Sequence, residues 1–580
     1  MRFPGQVLVG ALLLASLSAQ GAGVSFGNGC GGQGGVPAEL SVSPAFRPGY
    51  ASTLQVANLP PNQLGMLLLG DSKSDWWGTP LPLGLQALGM PGCQLLVAPQ
   101  GRLLFGTGTG TAAATFTVPL DPVLAARRLY MQAMFEQPGL NSAEVGISRG
   151  FDTRIAPLPT PASLVQSITQ YGITFQFAQP VLAGQFVNGD WFVVGPAVLT
   201  GMSPPCVTVN SRVMNGAMIN PDPSTRLHGY DKALYGPGNE AMYRDALNVA
   251  LNLSAASPRT LQPNQSLIKV ISNTNTAYLP QIETCSVLTV LASIPPVGSF
   301  RPAYAGTDHT VRYDDQMLDL TRLQALPPAA GMPTFASQLP KLARTWLDHT
   351  PGWTSRYMHP VLNMPDYGRD MATLFNESAL MCNTNAPLAA RKQLATLLVQ
   401  IGIDCYGNIS NGCRWEGTGG HGSGRKLPIL FAGALLGDAN MLAVGQNYVS
   451  QRFLNGTSTA YFGEDCQTFT VQQTAPNVIN WGFGGYVATD VGLAEFGFAH
   501  VDWPNNDTVS WTANSYRLCC TANGWIGAVL CARMMNLRTA WNHQVLFDYT
   551  DRYVQVETSG WTKSWSSWVG GMWDQYRPQF

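Results

Sequence analysis

The sequence predicts a multidomain chain: an N-terminal all-β sandwich, a second β-rich domain, and a C-terminal all-α (α/α) toroid. Three observations predict it. A length of 580 residues exceeds one ordinary core, so two to four domains are expected. Short apolar runs broken by Pro, Gly and Asn turns fill the chain as far as about residue 330. From residue 331 the apolar residues recur at helical spacing instead.

Composition excludes several function classes. Charged residues make up 12%, the formal net charge is −1 and aromatics are 10%. A polybasic nucleic-acid binder, an acidic-tail protein and a charge-rich disordered chain are therefore out. The 61 Gly and 41 Pro residues exceed the usual share, so the chain is globular with many loops.

Met1–Ala22 reads as a secretory signal. Arg2 gives the positive start, Val7–Leu17 the apolar stretch, and Ser18–Ala22 small residues that suit cleavage after 19–22. That stretch is too short to span a bilayer, and no later run reaches about 18 apolar residues. The expectation is an exported protein, extracellular or periplasmic, with no membrane span. Eleven cysteines then suggest disulfides. Cys30–Cys93 would close the first domain, Cys206–Cys285 the second, and Cys405–Cys413 a short loop, with at least one thiol left over. The absence of any CxxC pair removes support for a zinc ribbon.

Residues 24–155 alternate as strands, with Ser52–Val56, Met66–Leu69, Gln94–Val97 and Ala114–Val118 between turn residues. The segments NLPPNQLGMLLLG (58–70), PLPLGLQALGMPGCQLLV (80–97) and ATFTVPLDPVLAARRLYMQAMF (114–135) carry a resemblance. Residues 24–150 resemble a β-sandwich module common in secreted planctomycete proteins, which implies an exported context more than an activity. A Pro-rich linker, residues 156–165, follows. Residues 166–330 resume strand patterning at Thr174–Phe177, Asp190–Val194, Val207–Val209, Ser266–Ile271 and Cys285–Ala292.

In residues 331–580 the helices are expected at Arg391–Ile403, Lys426–Leu436, Gly524–Met535 and Trp541–Val554, with Asn385 and Pro387 as start signals for the first and Asp438 capping a further one. Helices separated by long Gly- and aromatic-rich loops point to a toroid; a plain bundle favours short loops. This region holds 12 of the 15 tryptophans and five of the seven histidines. Aromatic faces on loops suit stacking against sugar rings. Trp353, Trp415 and Trp481 are the candidates for that role.

Three loops gather the reactive side chains. The first holds Trp353, His359, Asn363, Asp366, Tyr367, Arg369 and Asp370, the second Trp415, Glu416, His421 and Arg425, and the third Glu464, Asp465, Trp481 and Tyr486. Five glycines surround His421 and are read as presenting it to a ligand. The Glu464–Asp465 pair offers a carboxyl acid or a calcium ligand; no other cofactor or metal is expected. A glycosidase needs two carboxyls at a set separation, and no pair stands out. A polysaccharide lyase must neutralise a uronate carboxylate, remove the neighbouring C–H proton and protonate the leaving oxygen. Asn363, His421, Tyr367 and Tyr486 fit its catalytic set. Arg369 and Arg425 suit carboxylate binding, joined by Trp353, Trp415, Trp481, His359, Glu416 and Glu464 as substrate contacts. The layout is similar to toroid polysaccharide lyases of the alginate, glucuronan and heparinoid type. That similarity implies cleavage of an acidic polysaccharide by β-elimination. A glycoside hydrolase and a non-catalytic carbohydrate-binding protein stay open, as do the polymer and the oligomeric state.

Overall fold

In the computed structural model the residues described are 23–580 without 44, 47–50, 120–123, 125–126, 156–159, 234–241, 351–354, 366–367, 418, 451–459, 476–477, 480–486, 497–515 and 557–564. The signal expected at 1–22 and the site candidates Trp353, Tyr367, Trp481 and Tyr486 lie outside them. Contacts divide the chain into two compact units at Pro159/Thr160, inside the Pro-rich stretch.

The first unit is built from β1 (Val24–Phe26), β2 (Glu39–Ser43), β3 (Ala51–Ala57), β4 (Leu64–Gly70), β5 (Gly101–Gly106), β6 (Ala112–Thr117), β7 (Arg128–Glu136), β8 (Val145–Ile147) and β9 (Gly150–Arg154), with short two-residue strands between. One antiparallel sheet runs β1-β9-β7-β4-β5, with β8 on β7; the other runs β6-β3-β2. Alternation decides the faces. Leu54 and Val56 of β3 and Leu40 of β2 turn inward to meet Leu67, Met131, Ala133 and Phe135 of the larger sheet in one core. Cys30–Cys93 bridges 63 positions of this unit.

The second unit begins with β10 (Ala162–Gln170), β11 (Ile173–Gln185), β12 (Trp191–Val194), β13 (Ala197–Ser203), β14 (Ala217–Ile219), β15 (Arg259–Leu261), β16 (Gln265–Ser272) and β17 (Ile282–Leu291). Their order is β14-β16-β17-β12-β11-β13-β15, with β10 on β11. Only the β12–β17 contact in this sheet is parallel, Trp191 opposite Leu288. The apolar runs of β16 and β17 are continuous because both faces are covered. Leu267, Leu288 and Val290 join a core with Ile173 and Phe175, while Ile268, Val270, Cys285 and Val287 pack on Tyr304, Leu347 and Met358.

The C-terminal part is mainly helical: α1 (Phe335–Ala343), α2 (Gly368–Cys382), α3 (Leu388–Ser410), α4 (Lys426–Leu436), α5 (Ala522–Met534), α6 (Gln544–Val556) and α7 (Ser567–Tyr576), with shorter turns between. Unlike the all-α region expected, it also carries the short strands Thr468–Thr470, Gln473–Ala475, Val478–Ile479 and Ala494–Phe496. α3 packs on α2 and α4, and α5 packs on α2, α6 and α7. The expected helices are present, with α3 longer at both ends and α6 starting at Gln544. Pro387 is the N-cap of α3, and Asp438 accepts the Met441 N–H at the next cap. No described helix is long and apolar enough to cross a membrane.

A buried ion triad ties sheet to helices. Arg301 donates from Nε to Asp190 beside β12 at 2.6 Å and from Nη1 to Asp404 of α3 at 2.9 Å, all nearly inaccessible to solvent. Two expected disulfides are absent. Cys206, Cys285, Cys405 and Cys413 are free thiols. Cys285 is held on the sheet with its Sγ donating to Thr345 O, and Cys413 donates to Asp348 O, so each thiol has a backbone partner. The second disulfide instead joins neighbours, Cys519 and Cys520.

Candidate functional site

The first and second reactive loops meet at Asp348, a residue of the segment that follows α1. Arg425, at the N-cap of α4, grips its carboxylate with two parallel bonds, Nε to Oδ2 at 2.8 Å and Nη2 to Oδ1 at 2.9 Å. The remaining Nη1 donates to His421 O at 2.6 Å and Ser423 O at 2.7 Å. Burial alone would raise the Asp348 carboxyl; the Arg425 charge and the His359 hydrogen bond outweigh it and hold the group well below the usual range. Arg425 is fully buried and its donors go to the protein. It fixes the loop from within and offers no open fork to a substrate carboxylate.

The glycines around His421 serve the same packing. A Cβ on Gly424, whose φ is +94°, would meet Ala372 Cα at 2.6 Å, and one on Gly422 would meet Glu416 O at 2.3 Å. His421 therefore lies in a buried turn, only 4% exposed, and is not presented on an open loop as its glycines suggested. The close approach that glycine permits is to the chain's own backbone.

His359, also fully buried, lies with Nε2 3.3 Å from Asp348 Oδ1. Nε2 also lies 3.5 Å from Arg425 Nη2, and Nδ1 has no hydrogen-bond partner among the described residues. Burial lowers the His359 pKa and so favours the uncharged ring. Asp348 orients the ring, and Arg425 orients Asp348.

Beside this dyad stand groups that can give a proton. The Tyr304 hydroxyl accepts from Asp348 N at 2.9 Å and Asn408 Nδ2 at 3.1 Å, so its own hydrogen faces His349 Nδ1 at 3.4 Å. His349 then carries its ring hydrogen on Nε2, which lacks a hydrogen-bond partner among the described residues, as does the Tyr230 hydroxyl. The Tyr230 and His349 rings meet edge to face with centroids 5.6 Å apart, and His228 stacks on Tyr230. Burial lowers His349 to about 3 and His228 to about 4, and raises the Tyr230 hydroxyl well above its ordinary value. The histidines stay neutral and the tyrosine stays a phenol.

The third loop joins through Lys426, next to Arg425. Its ammonium binds Asp465 Oδ2 and donates to Trp541 O at 2.5 Å, while Trp541 Nε1 donates to Asp465 Oδ1 at 2.9 Å. Asp465, Thr468 and His543 line a cavity of about 230 Å³. Burial first, and the Asp465 charge second, raise the Glu464 pKa. Among the described residues no group of His, Cys, Asp and Glu is arranged to hold a metal ion.

The other expected contacts have different surroundings. Asn363 donates to Arg344 O and Thr345 O, steadying the segment that leads to Asp348. Arg369 donates to Cys519 O at 2.6 Å and lies over the Trp565 ring. Glu416 pairs with Arg226 at 2.5 Å. Trp415 is buried against Phe462, with ring centroids 5.8 Å apart, and presents no face to a sugar.

Sequence reasoning missed Asp348, His349, Tyr230, Tyr304 and His228. Two signals were available. His228 and Tyr230 are i, i+2 in an extended stretch and so share a face, and Asp348-His349 sets a carboxylate beside an imidazole in the segment after α1. Searches with protein-family models and among curated proteins return no match for this chain.

Proposed function

We propose that this chain is an exported carbohydrate-active enzyme that cleaves an acidic, uronate-containing polysaccharide by β-elimination, on a helical domain of α/α-toroid type. The observation that carries this reading is the Asp348–His359 dyad. It leaves Nδ1 of His359 without a hydrogen-bond partner among the described residues; Tyr230 Oη and His349 Nε2, whose rings meet edge to face, lack one too. β-Elimination needs those parts: a base for the C5 proton and an acid for the leaving oxygen. In this assignment Nε2 of His359 donates to Asp348 and the ring is the base through Nδ1, Tyr230 is the acid, and Asp348 and Arg425 are positioning residues. Since His359 and Tyr230 are fully buried, the reading requires the domain to open before the polymer reaches them. The packing of α3 on α2 and α4, and of α5 on α2, supports the helical part of this reading. The Cys30–Cys93 disulfide is consistent with export.

One observation favours glycoside hydrolysis. Glu464 is a buried carboxyl with a raised pKa and an unpartnered Oε2 among the described residues, as a general acid requires. Its neighbour Asp465 is held by Lys426 and Trp541, which weakens the two-carboxylate scheme.

Incubation with uronate polymers separates the two. The lyase yields unsaturated uronate ends, read by ultraviolet absorbance, and loses about 10²–10⁴-fold in rate in His359→Ala and in Tyr230→Phe with circular dichroism unchanged. Reducing ends without unsaturation, or wild-type rates in both variants, would overturn the assignment.

A further inference from the structure

The cysteines occupy three chemical environments. Cys285, Cys382, Cys405, Cys413, Cys466 and Cys531 are buried free thiols. Burial pushes Cys466 and Cys531 up to about 12, so these thiols stay protonated and out of reach. Cys30–Cys93 closes 63 positions and constrains the unfolded chain. Cys519–Cys520 does neither. A bond between sequence neighbours closes no loop beyond the pair, so it removes almost no unfolded-state entropy and is not a staple.

Its surroundings favour sulfur chemistry. Both residues are half-buried, so the bond is within reach of small solutes. Arg369 Nη1 donates to Cys519 O at 2.6 Å and lies 3.9 Å from Cys520 Sγ. The guanidinium is fixed there by the Trp565 ring, 4.1 Å from its centroid, and by Asp370 at 3.2 Å. Cys520 also lies two residues before α5, whose N-terminal amides favour negative charge. A cation and a helix start beside one sulfur stabilise its thiolate, and a stabilised thiolate is the better leaving group.

We propose that Cys519–Cys520 is a thiol–disulfide exchange site for low-molecular-weight thiols, with Cys520 as the leaving thiolate. An external thiolate, its proton given to solvent, attacks Cys519 Sγ. The Cys519–Cys520 bond breaks and its electron pair stays on Cys520 Sγ beside Arg369. A second external thiolate attacks the outer sulfur of the mixed disulfide, forms the small-molecule disulfide and releases Cys519 as a thiolate that takes a proton. Two thiols have then supplied two electrons, and the cysteine pair is reduced. This step does not depend on the sugar chemistry above.

The test uses the full chain with the half-buried Cys206 thiol first blocked by N-ethylmaleimide under native conditions. Dithiothreitol is then titrated in, new thiols are alkylated and the sites are mapped by peptide mass spectrometry. Cys519 and Cys520 are expected to open at roughly tenfold lower dithiothreitol than Cys30 and Cys93, and glutathione to leave its adduct on Cys519. Arg369→Gln slows the exchange and Arg369→Lys restores part of the rate. Three results would overturn the proposal: label on Cys519 and Cys520 before any reductant, Cys30–Cys93 opening first, or the adduct on Cys520. None of those three requires a variant to fold.

Discussion

Around Asp348 one anion is surrounded by imidazoles that burial keeps uncharged, and this sets how the protein responds to acid. The folded-state values of His349 and His228 lie at about 3 and about 4, below the value of about 6.5 in an unfolded chain. On acidification the unfolded chain takes up these protons first. Their contribution to stability is therefore complete above about pH 6.5 and is lost as pH falls towards about 4, at about 2 kcal/mol for each histidine by pH 5. Urea unfolding across that interval should show falling stability, and His349→Phe should flatten the slope by one histidine's share. An unchanged slope in that variant would contradict the buried neutral ring. At this scale the sequence located the neighbourhood better than the roles. His359, Arg425 and His421 were legible as a group because Gly, His and Arg cluster on short segments. Their individual tasks were hidden because a glycine reads the same whether its missing Cβ makes room for a ligand or for Ala372.

The α3–α4 pair shows how elements are matched. Gly402 sits in the middle of α3, where a Cβ would lie 2.2 Å from Pro428 O of α4. Gly402→Ala would raise intrinsic helix propensity by about 1 kcal/mol. The clash with backbone should outweigh that gain, and a net loss of about 1–3 kcal/mol in denaturant unfolding is expected. A more stable variant would show that the helices do not touch there. Ser52–Val56 was legible from alternation, because a half-buried strand writes its faces into every second residue, and Ser266–Ile271 as a short apolar run, because both its faces are covered. The length of α3 was not. Gly402 and Gly407 weaken local propensity, yet burial of Cys405 and Ile409 carries the helix on to Ser410. The helical spacing of the C-terminal part was visible for the same reason that its boundaries were not: apolar period survives where capping signals are weak.

Taken as a whole, the chain divides into two compact units at Pro159/Thr160. Within residues 160–580, Arg301 reaches from the link after the sheet to both Asp190 and Asp404 and so ties strand to helix. Composition gives no hint of such a bond, since the three residues lie more than 100 positions apart in two of the pairings. Residues 23–155 have their own core and are expected to fold when expressed alone. Reduction of Cys30–Cys93 in that fragment should lower its stability by about 4 kcal/mol, as loop-closure entropy predicts. Calorimetry of the oxidised and reduced fragment measures this, and equal midpoints would show that the crosslink constrains nothing.

The parallel seam between β12 and β17 has a consequence for how the chain comes into being. Trp191–Val194 must wait for Ile282–Leu291 before its second side is covered, and nearly a hundred residues of chain separate them. During synthesis the growing polypeptide therefore carries an apolar strand with one unmatched edge until residue 291 has emerged, at a stage when pairing with a foreign strand competes with the native partner. Yield on expression, more than stability once folded, is the property that this single seam puts at risk.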